Sequence, residues 1–126
     1  MQKRFKIFSE KNPAIRRRLV LTTTSKKLVD SLELLSEIIK NDPSPVIRHE
    51  AAFVLGTIKS SKSLEILMSV AMSDSSDLVK HEAIEAIGDL GIQNKKVKDF
   101  LKKFVKDKNP FIKDTAEIAL ETLKLK

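Results

Sequence analysis

No cysteine, tryptophan or tyrosine occurs in this chain of 126 residues, and glycine (3), proline (4) and histidine (2) are scarce. Without cysteine there are no disulfides, zinc–thiolate sites or thiol nucleophiles, so any metal must be held by His, Asp or Glu. So few glycines and prolines leave little turn chemistry for an all-β chain and favour helices. No apolar run approaches the roughly 18 to 20 residues that span a bilayer. Residues 1–8 are basic but lack a hydrophobic stretch behind them, so a cytoplasmic, soluble protein with no membrane partner is expected. A nucleophilic triad, a glycine-rich phosphate loop and a dinucleotide fingerprint are all missing, which leaves hydrolase, kinase and dehydrogenase readings without support.

What is present suffices for a folded domain. Hydrophobic residues make up 41% of the chain and charged residues 33%, enough apolar surface to offset chain entropy in a single domain spanning residues 1–126. The formal net charge is +7. Such a balance suits nucleic acid or acidic partners, although lysine also serves simply to solvate helical surfaces.

Repetition organises the chain. Asn12-Pro13-Ala14-Ile15-Arg16 returns as Ser44-Pro45-Val46-Ile47-Arg48, as Ser76-Asp77-Leu78-Val79-Lys80 and as Asn109-Pro110-Phe111-Ile112-Lys113, at spacings of 32, 32 and 33 residues. Asn or Ser followed in three cases by Pro marks a helix start, because the side chain caps free amides and proline needs none. Helices are therefore expected to begin near residues 13, 45, 77 and 110. Ile47, Ala51, Val54, Leu55 and Ile58 form one helical stripe, repeated by Val79, Ala83, Ala86, Ile87 and Leu90 and again by Ile112, Ala116, Ala119, Leu120 and Leu123. Apolar residues in 27–40, 63–72 and 97–106 predict a further helix ahead of each later start. Helix pairs recurring at this period bury their faces only by stacking, so the expected fold is all-α: an α-solenoid of about three and a half antiparallel helix pairs, with residues 1–11 as a truncated first helix.

The pattern Asp/Asn-Pro-x-Ile-Arg-x-x-Ala-x-x-Ala-Leu-Gly, with slight variation, resembles the short HEAT repeats of the phycobilisome-lyase type and covers the chain from Asn12. Both histidines precede a glutamate at one point of the repeat, in Arg48-His49-Glu50 and Lys80-His81-Glu82. At about 100° per residue His49 falls opposite the apolar stripe, beside Phe53 and away from the core. The resemblance implies that the second helices line a concave groove containing His49, Glu50, Phe53, His81, Glu82 and Glu85. A mixed His and carboxylate set suits a first-row transition metal, Fe(II) in particular when coordination positions stay open.

The two His-Glu pairs, with Val54-Leu55-Gly56 and Glu85-Ala86-Ile87-Gly88 behind them, are also similar to those of deoxyhypusine hydroxylase. That family carries four His-Glu pairs in two halves and uses a di-iron centre with O₂ to hydroxylate a modified lysine. The resemblance implies one half of such an enzyme, with His49, His81, Glu82 and Glu50 as metal ligands and a second copy of the chain completing the site as a homodimer. Arg17 and Arg18 occupy the positions equivalent to His49 and Glu50 and bring cations to one end of the groove. Two non-enzymatic alternatives stand beside this. One is a scaffold that grips a protein or peptide with Phe53, Ile84, Glu85, Arg17, Arg18 and Arg48. The other is a nucleic-acid module contacting phosphates through Arg16 to Arg18, Arg48 and Lys80.

Overall fold

A computed structural model describes residues 10–23 and 27–126; most of the truncated first helix expected over residues 1–11 lies outside the described residues. Among the described residues there are seven helices and no strand. They are α1 (Pro13–Leu21), α2 (Leu28–Asn41), α3 (Pro45–Thr57), α4 (Ser61–Ser73), α5 (Asp77–Leu90), α6 (Lys95–Phe104) and α7 (Pro110–Leu125). The four capped starts open α1, α3, α5 and α7. Asn12 accepts from the Ala14 amide, Ser44 from Ile47, Ser76 from Val79 and Asn109 from Phe111, so each frees its helix of an orphan donor.

Two helices begin earlier than the sequence suggests. Ser60 caps Lys62 and starts α4 at Ser61; Asn94 caps Val97 and starts α6 at Lys95. Both caps lie in polar stretches that read as linkers, because Ser and Asn serve turns and N-caps alike.

The helices form two layers. Helices α1, α3, α5 and α7 pack side by side in chain order, while α2, α4 and α6 cover the other side, α2 against α4 and α6 against α7. Leu35, Ile47, Leu55, Leu67, Ile87, Leu101 and Ile112 are almost completely buried between the layers. Close approach within the inner layer depends on glycine. A Cβ on Gly56 would lie 2.8 Å from the Ala86 Cβ, and one on Gly88 would lie 3.0 Å from both Cα and Cβ of Ala119. These two glycines, 32 residues apart at the same place of the repeat, therefore set the distance between α3, α5 and α7.

An ion-pair ladder locks the repeats at the amino ends of the inner helices. Arg16 bonds Asp42 through Nε (3.0 Å) and Nη2 (3.3 Å), and Arg48 bonds Asp74 in the same fork, at 2.9 and 3.1 Å. Each aspartate also accepts the amide two residues on, Ser44 for Asp42 and Ser76 for Asp74. The guanidinium of Arg48 donates in addition to the Asp42 carbonyl at 2.8 Å. Bidentate arginine pairs with satisfied lone pairs retain their strength when buried.

Candidate functional site

A second ladder runs one helical step further along the inner layer, and it contains both histidines. Arg17 donates from Nε to Glu50 at 2.9 Å. Nδ1 of His49 lies 3.2 Å from Oε1 of Glu82. Nδ1 of His81 lies 2.7 Å from Oγ1 of Thr115. In each case the His-equivalent position of one helix meets the Glu-equivalent position of the next, so each histidine is matched with the following repeat and not with the glutamate beside it in sequence.

The state of His81 follows from its neighbours. The Thr115 hydroxyl has one hydrogen, and it donates that hydrogen to the Phe111 carbonyl at 2.8 Å, one turn earlier in α7. Toward His81 it can only accept, so Nδ1 carries the proton. The Phe111 ring stacks on the imidazole, with centroids 4.5 Å apart. Nε2 of His81 lies 3.3 Å from Oε2 of Glu85; with one proton on the ring, held at Nδ1, its Nε2 lone pair faces that oxygen, and with a second proton the two form an ion pair. Two acceptors at that separation repel, and a proton or a cation between them removes the repulsion.

Around His49 the frustration takes another form. Its Nδ1 is shielded from solvent, yet it lacks hydrogen-bonding geometry to any partner, Glu82 included. Burial lowers the His49 pKa against the opposing pull of Glu50, and His81 lowers it further. Glu82 is pushed up to about 7, first by burial and then by Glu85, which both repels its charged form and hydrogen-bonds to it; Asp89 and Glu50 add to the repulsion. Carboxylates here outnumber the cations close enough to balance them.

Two small cavities open beside these residues. One, of about 90 Å³, is lined by His81, Glu85, Asp89 and Thr115, and a second, of about 340 Å³, by Phe53, Glu82 and Asp89. As a test of fit to a metal, the 3.3 Å between His81 Nε2 and Glu85 Oε2 is within the span of two donors each about 2.0–2.2 Å from one first-row ion. The outward Nε2 and the tautomer fixed by Thr115 match the usual arrangement in which a partner on one ring nitrogen orients the other for coordination. Among the described residues, however, no group of three or more His, Asp or Glu side chains converges on one point. The donor set fits part of a coordination shell, in pairs.

A sequence profile of HEAT repeats matches residues 2–88 and 32–121. The chain belongs to the HEAT-repeat family. Its fold is similar to that of human deoxyhypusine hydroxylase in complex with glycerol, with a TM-score of 0.83 and 21% sequence identity over 98% of this chain and 42% of that one. This HEAT-repeat chain therefore spans about two fifths of the length of that structure. No curated protein sequence matches it.

The expected site residues do not all share one place. His49, His81, Glu50, Glu82 and Glu85 stand along the second ladder. Phe53, at 52% exposure, borders it, and Arg17 is held at its first rung. Arg18 is exposed and makes no ion pair among the described residues. Arg48 is committed to Asp74 and the Asp42 carbonyl, and Arg16 to Asp42. Ile84, expected to grip a peptide, is fully buried: α5 is packed against α3 and α7 within its own layer and against α4 in the other, so its buried arc is wider than one stripe. Burial of Glu82 has the same cause. Phe111 and Asp89 were not singled out as site residues from sequence; Thr115, which with Asp114 falls on the His-Glu position of the repeat, is expected from that register at the far end of the groove, and the structure brings it to His81.

Proposed function

We propose that the inner helical face carries a half-built cation site, with His81 and Glu85 as one pair of donors and His49 and Glu82 as the other, which a second protein surface completes. The observation that carries this reading is the 3.3 Å approach of Nε2 of His81 to Oε2 of Glu85, with the Nδ1 proton held by Thr115. A first-row transition metal such as Fe(II) is the cation best suited to imidazole and carboxylate together, and a facing second copy, forming a homodimer, is the simplest source of further ligands. The match to 42% of the chain of human deoxyhypusine hydroxylase supports reading this chain as one half of an enzyme of that kind, with a hydroxylase-like activity.

Each residue then has a definable task. Thr115 holds the His81 proton on Nδ1, and Phe111 holds the ring plane and limits water on that side. Glu82, with a pKa near neutrality, takes up or releases a proton as the charge beside it changes. A redox-active metal, when bound, supplies oxygen chemistry that no side chain of this protein can. Glu50, tied to Arg17, orients the edge of the site.

Exposed Phe53 and Phe111, at 52% and 47%, border the same face and favour a second reading in which the groove grips a protein segment without chemistry. Elemental analysis and size-exclusion chromatography of untagged protein separate the two. The half-site reading expects a transition metal in a dimeric fraction and its loss in His49→Ala and His81→Ala with helicity unchanged. Metal-free protein that also ignores added Fe(II) under anaerobic conditions would leave only the scaffold.

A further inference from the structure

The two ladders define what each repeat offers to the next, and they end on residues whose charges match each other. In the first ladder the donors are Arg16 and Arg48 and the receivers Asp42 and Asp74. The third step places Lys80 opposite Asp107 without an ion pair among the described residues, although Asp107 still accepts the Asn109 amide; beyond it the outermost residues in register are Lys113 on α7, at the donor position, and Glu10 ahead of α1, at the receiver position. Glu10 accepts the Asn12 amide at 3.1 Å, just as Asp42 accepts that of Ser44 and Asp74 that of Ser76. Glu10 and Lys11 give their carbonyls to Arg16 as Asp42 gives its own to Arg48, so Glu10 is the Asp42 equivalent in geometry as well as in spacing.

In the second ladder the open positions are Asp114 on α7, following Arg17, His49 and His81 as donor, and Arg18 on α1, preceding Glu50, Glu82 and Thr115 as receiver. Asp114 and Arg18 are both exposed, and neither makes an ion pair among the described residues. Here the sign is reversed relative to the inner rungs. Inside the chain a cation or imidazole meets an acid or hydroxyl, whereas at the two ends the donor position is acidic and the receiver basic. Asp114 would repel an internal receiver such as Glu82, and Arg18 would repel an internal donor such as Arg17, so each end rejects the inner pattern and fits only the other end.

We propose that this chain associates head to tail with further copies of itself, α7 of one copy laid against α1 of the next, with Asp114 pairing with Arg18 and Lys113 with Glu10. Ile118, one turn beyond Asp114 and 58% exposed, adds apolar contact on the same side. Position 121 limits the approach. Where the inner helices carry Gly56 and Gly88, α7 has Glu121, held by Lys124 at 3.0 Å, so the copies meet at the amino-terminal half of α7 and stay further apart at its carboxyl end. An interface weighted toward exposed ion pairs is weak, sensitive to salt and, being heterologous, able to extend beyond two copies. It uses the outward sides of α1 and α7 and none of the four proposed metal donors.

Sedimentation velocity of the 126-residue chain over a concentration series tests it. At low ionic strength the mean sedimentation coefficient is expected to rise with concentration, and at high salt to stay at the monomer value or at that of a groove-facing dimer. Asp114→Arg and Arg18→Asp are each expected to weaken the low-salt association about tenfold or more, because a contact becomes a repulsion. The double variant is expected to restore it. Mixing the two single variants should restore growth in alternating order, since the altered α7 of Asp114→Arg matches the altered α1 of Arg18→Asp and the unaltered Asp114 of the second matches the unaltered Arg18 of the first. Both positions are exposed, and circular dichroism checks that the fold is kept. Absence of low-salt association, or association that both charge reversals leave unchanged, would overturn the proposal; metal content unchanged in these variants keeps the outcome separate from that of the groove.

Discussion

His81 donates a hydrogen bond of 2.7 Å from Nδ1 to the Thr115 hydroxyl on the next inner helix. The contact spans a repeat boundary, so the stacking of α5 on α7 decides where the second ring nitrogen points. Packing and chemistry meet in that one bond: the same helix that buries Ala119 against Gly88 also aims Nε2 at Glu85.

Thr115→Val keeps the shape and removes the acceptor. It is expected to weaken binding of Zn(II), used as a redox-silent probe, by about tenfold or more, the usual cost of losing a partner that orients a ligand histidine. Thr115→Ser is expected to restore it. Isothermal titration of the three proteins checks this, and equal affinities would show that Thr115 has only a packing role.

Glu82 gives the protein a pH-dependent stability. An unfolded glutamate titrates near 4.3, whereas folding pushes Glu82 up to about 7. Between those values the folded chain holds a proton that the unfolded chain has released, so stability falls as pH rises through the window and levels off above it. Glu82→Gln is expected to raise stability at about pH 8 by on the order of 1–2 kcal/mol, since each pKa unit corresponds to about 1.4 kcal/mol and part of the shift is lost to screening. At about pH 4 the variant and the parent should melt together. Urea unfolding at both pH values measures the difference.

The repeat period, the four capped helix starts and the buried stripes were legible in the sequence because each is local: a cap, a proline and a 3.6-residue period need no knowledge of neighbours. Register between repeats was not. Arg48 reads as a groove cation on its own helix, and only the position of Asp74 in the following loop assigns it to the scaffold. His49 and Glu50 read as one pair because they are adjacent, yet on a helix adjacent side chains diverge by about 100°, and the partner of each comes from a different repeat. Ile84 and Glu82 were misjudged in exposure for a related reason, since a helix flanked on both sides buries residues that a single-face pattern leaves outside.

The Arg48–Asp74 rung, like the more deeply buried Arg16–Asp42, is expected to be a costly polar contact to break. Both side chains are largely buried, at 13% and 8% exposure. Asp74→Ala strands the guanidinium and frees the Ser76 amide, and should destabilise by about 3–5 kcal/mol. Replacing Arg17, whose side chain is 50% exposed in its pair with Glu50, should cost less than about 1 kcal/mol. Thermal melts of Asp74→Ala and Arg17→Ala test the ordering, and comparable losses would contradict it.

Gly88→Ala tests the spacing of α5 and α7. The added methyl would meet the Ala119 backbone, with the carbonyl oxygen at 3.2 Å and Cα at 3.0 Å, and backbone cannot turn aside as a flexible side chain can. A loss of about 1–3 kcal/mol is expected, together with displacement of Thr115 from His81. Unchanged stability would mean that α7 shifts freely on α5.

The central claim concerns the proton on His81, and nitrogen-resolved NMR of the two imidazoles reads it directly. On neutral ¹⁵N-labelled protein, long-range proton–nitrogen correlation should show His81 protonated at Nδ1 and bare at Nε2, and Zn(II) should shift the Nε2 resonance while leaving Nδ1 protonated. Glu85→Gln should reduce that shift. A His81 protonated at Nε2, or an Nε2 resonance that Zn(II) does not move, would contradict a cation site between His81 and Glu85.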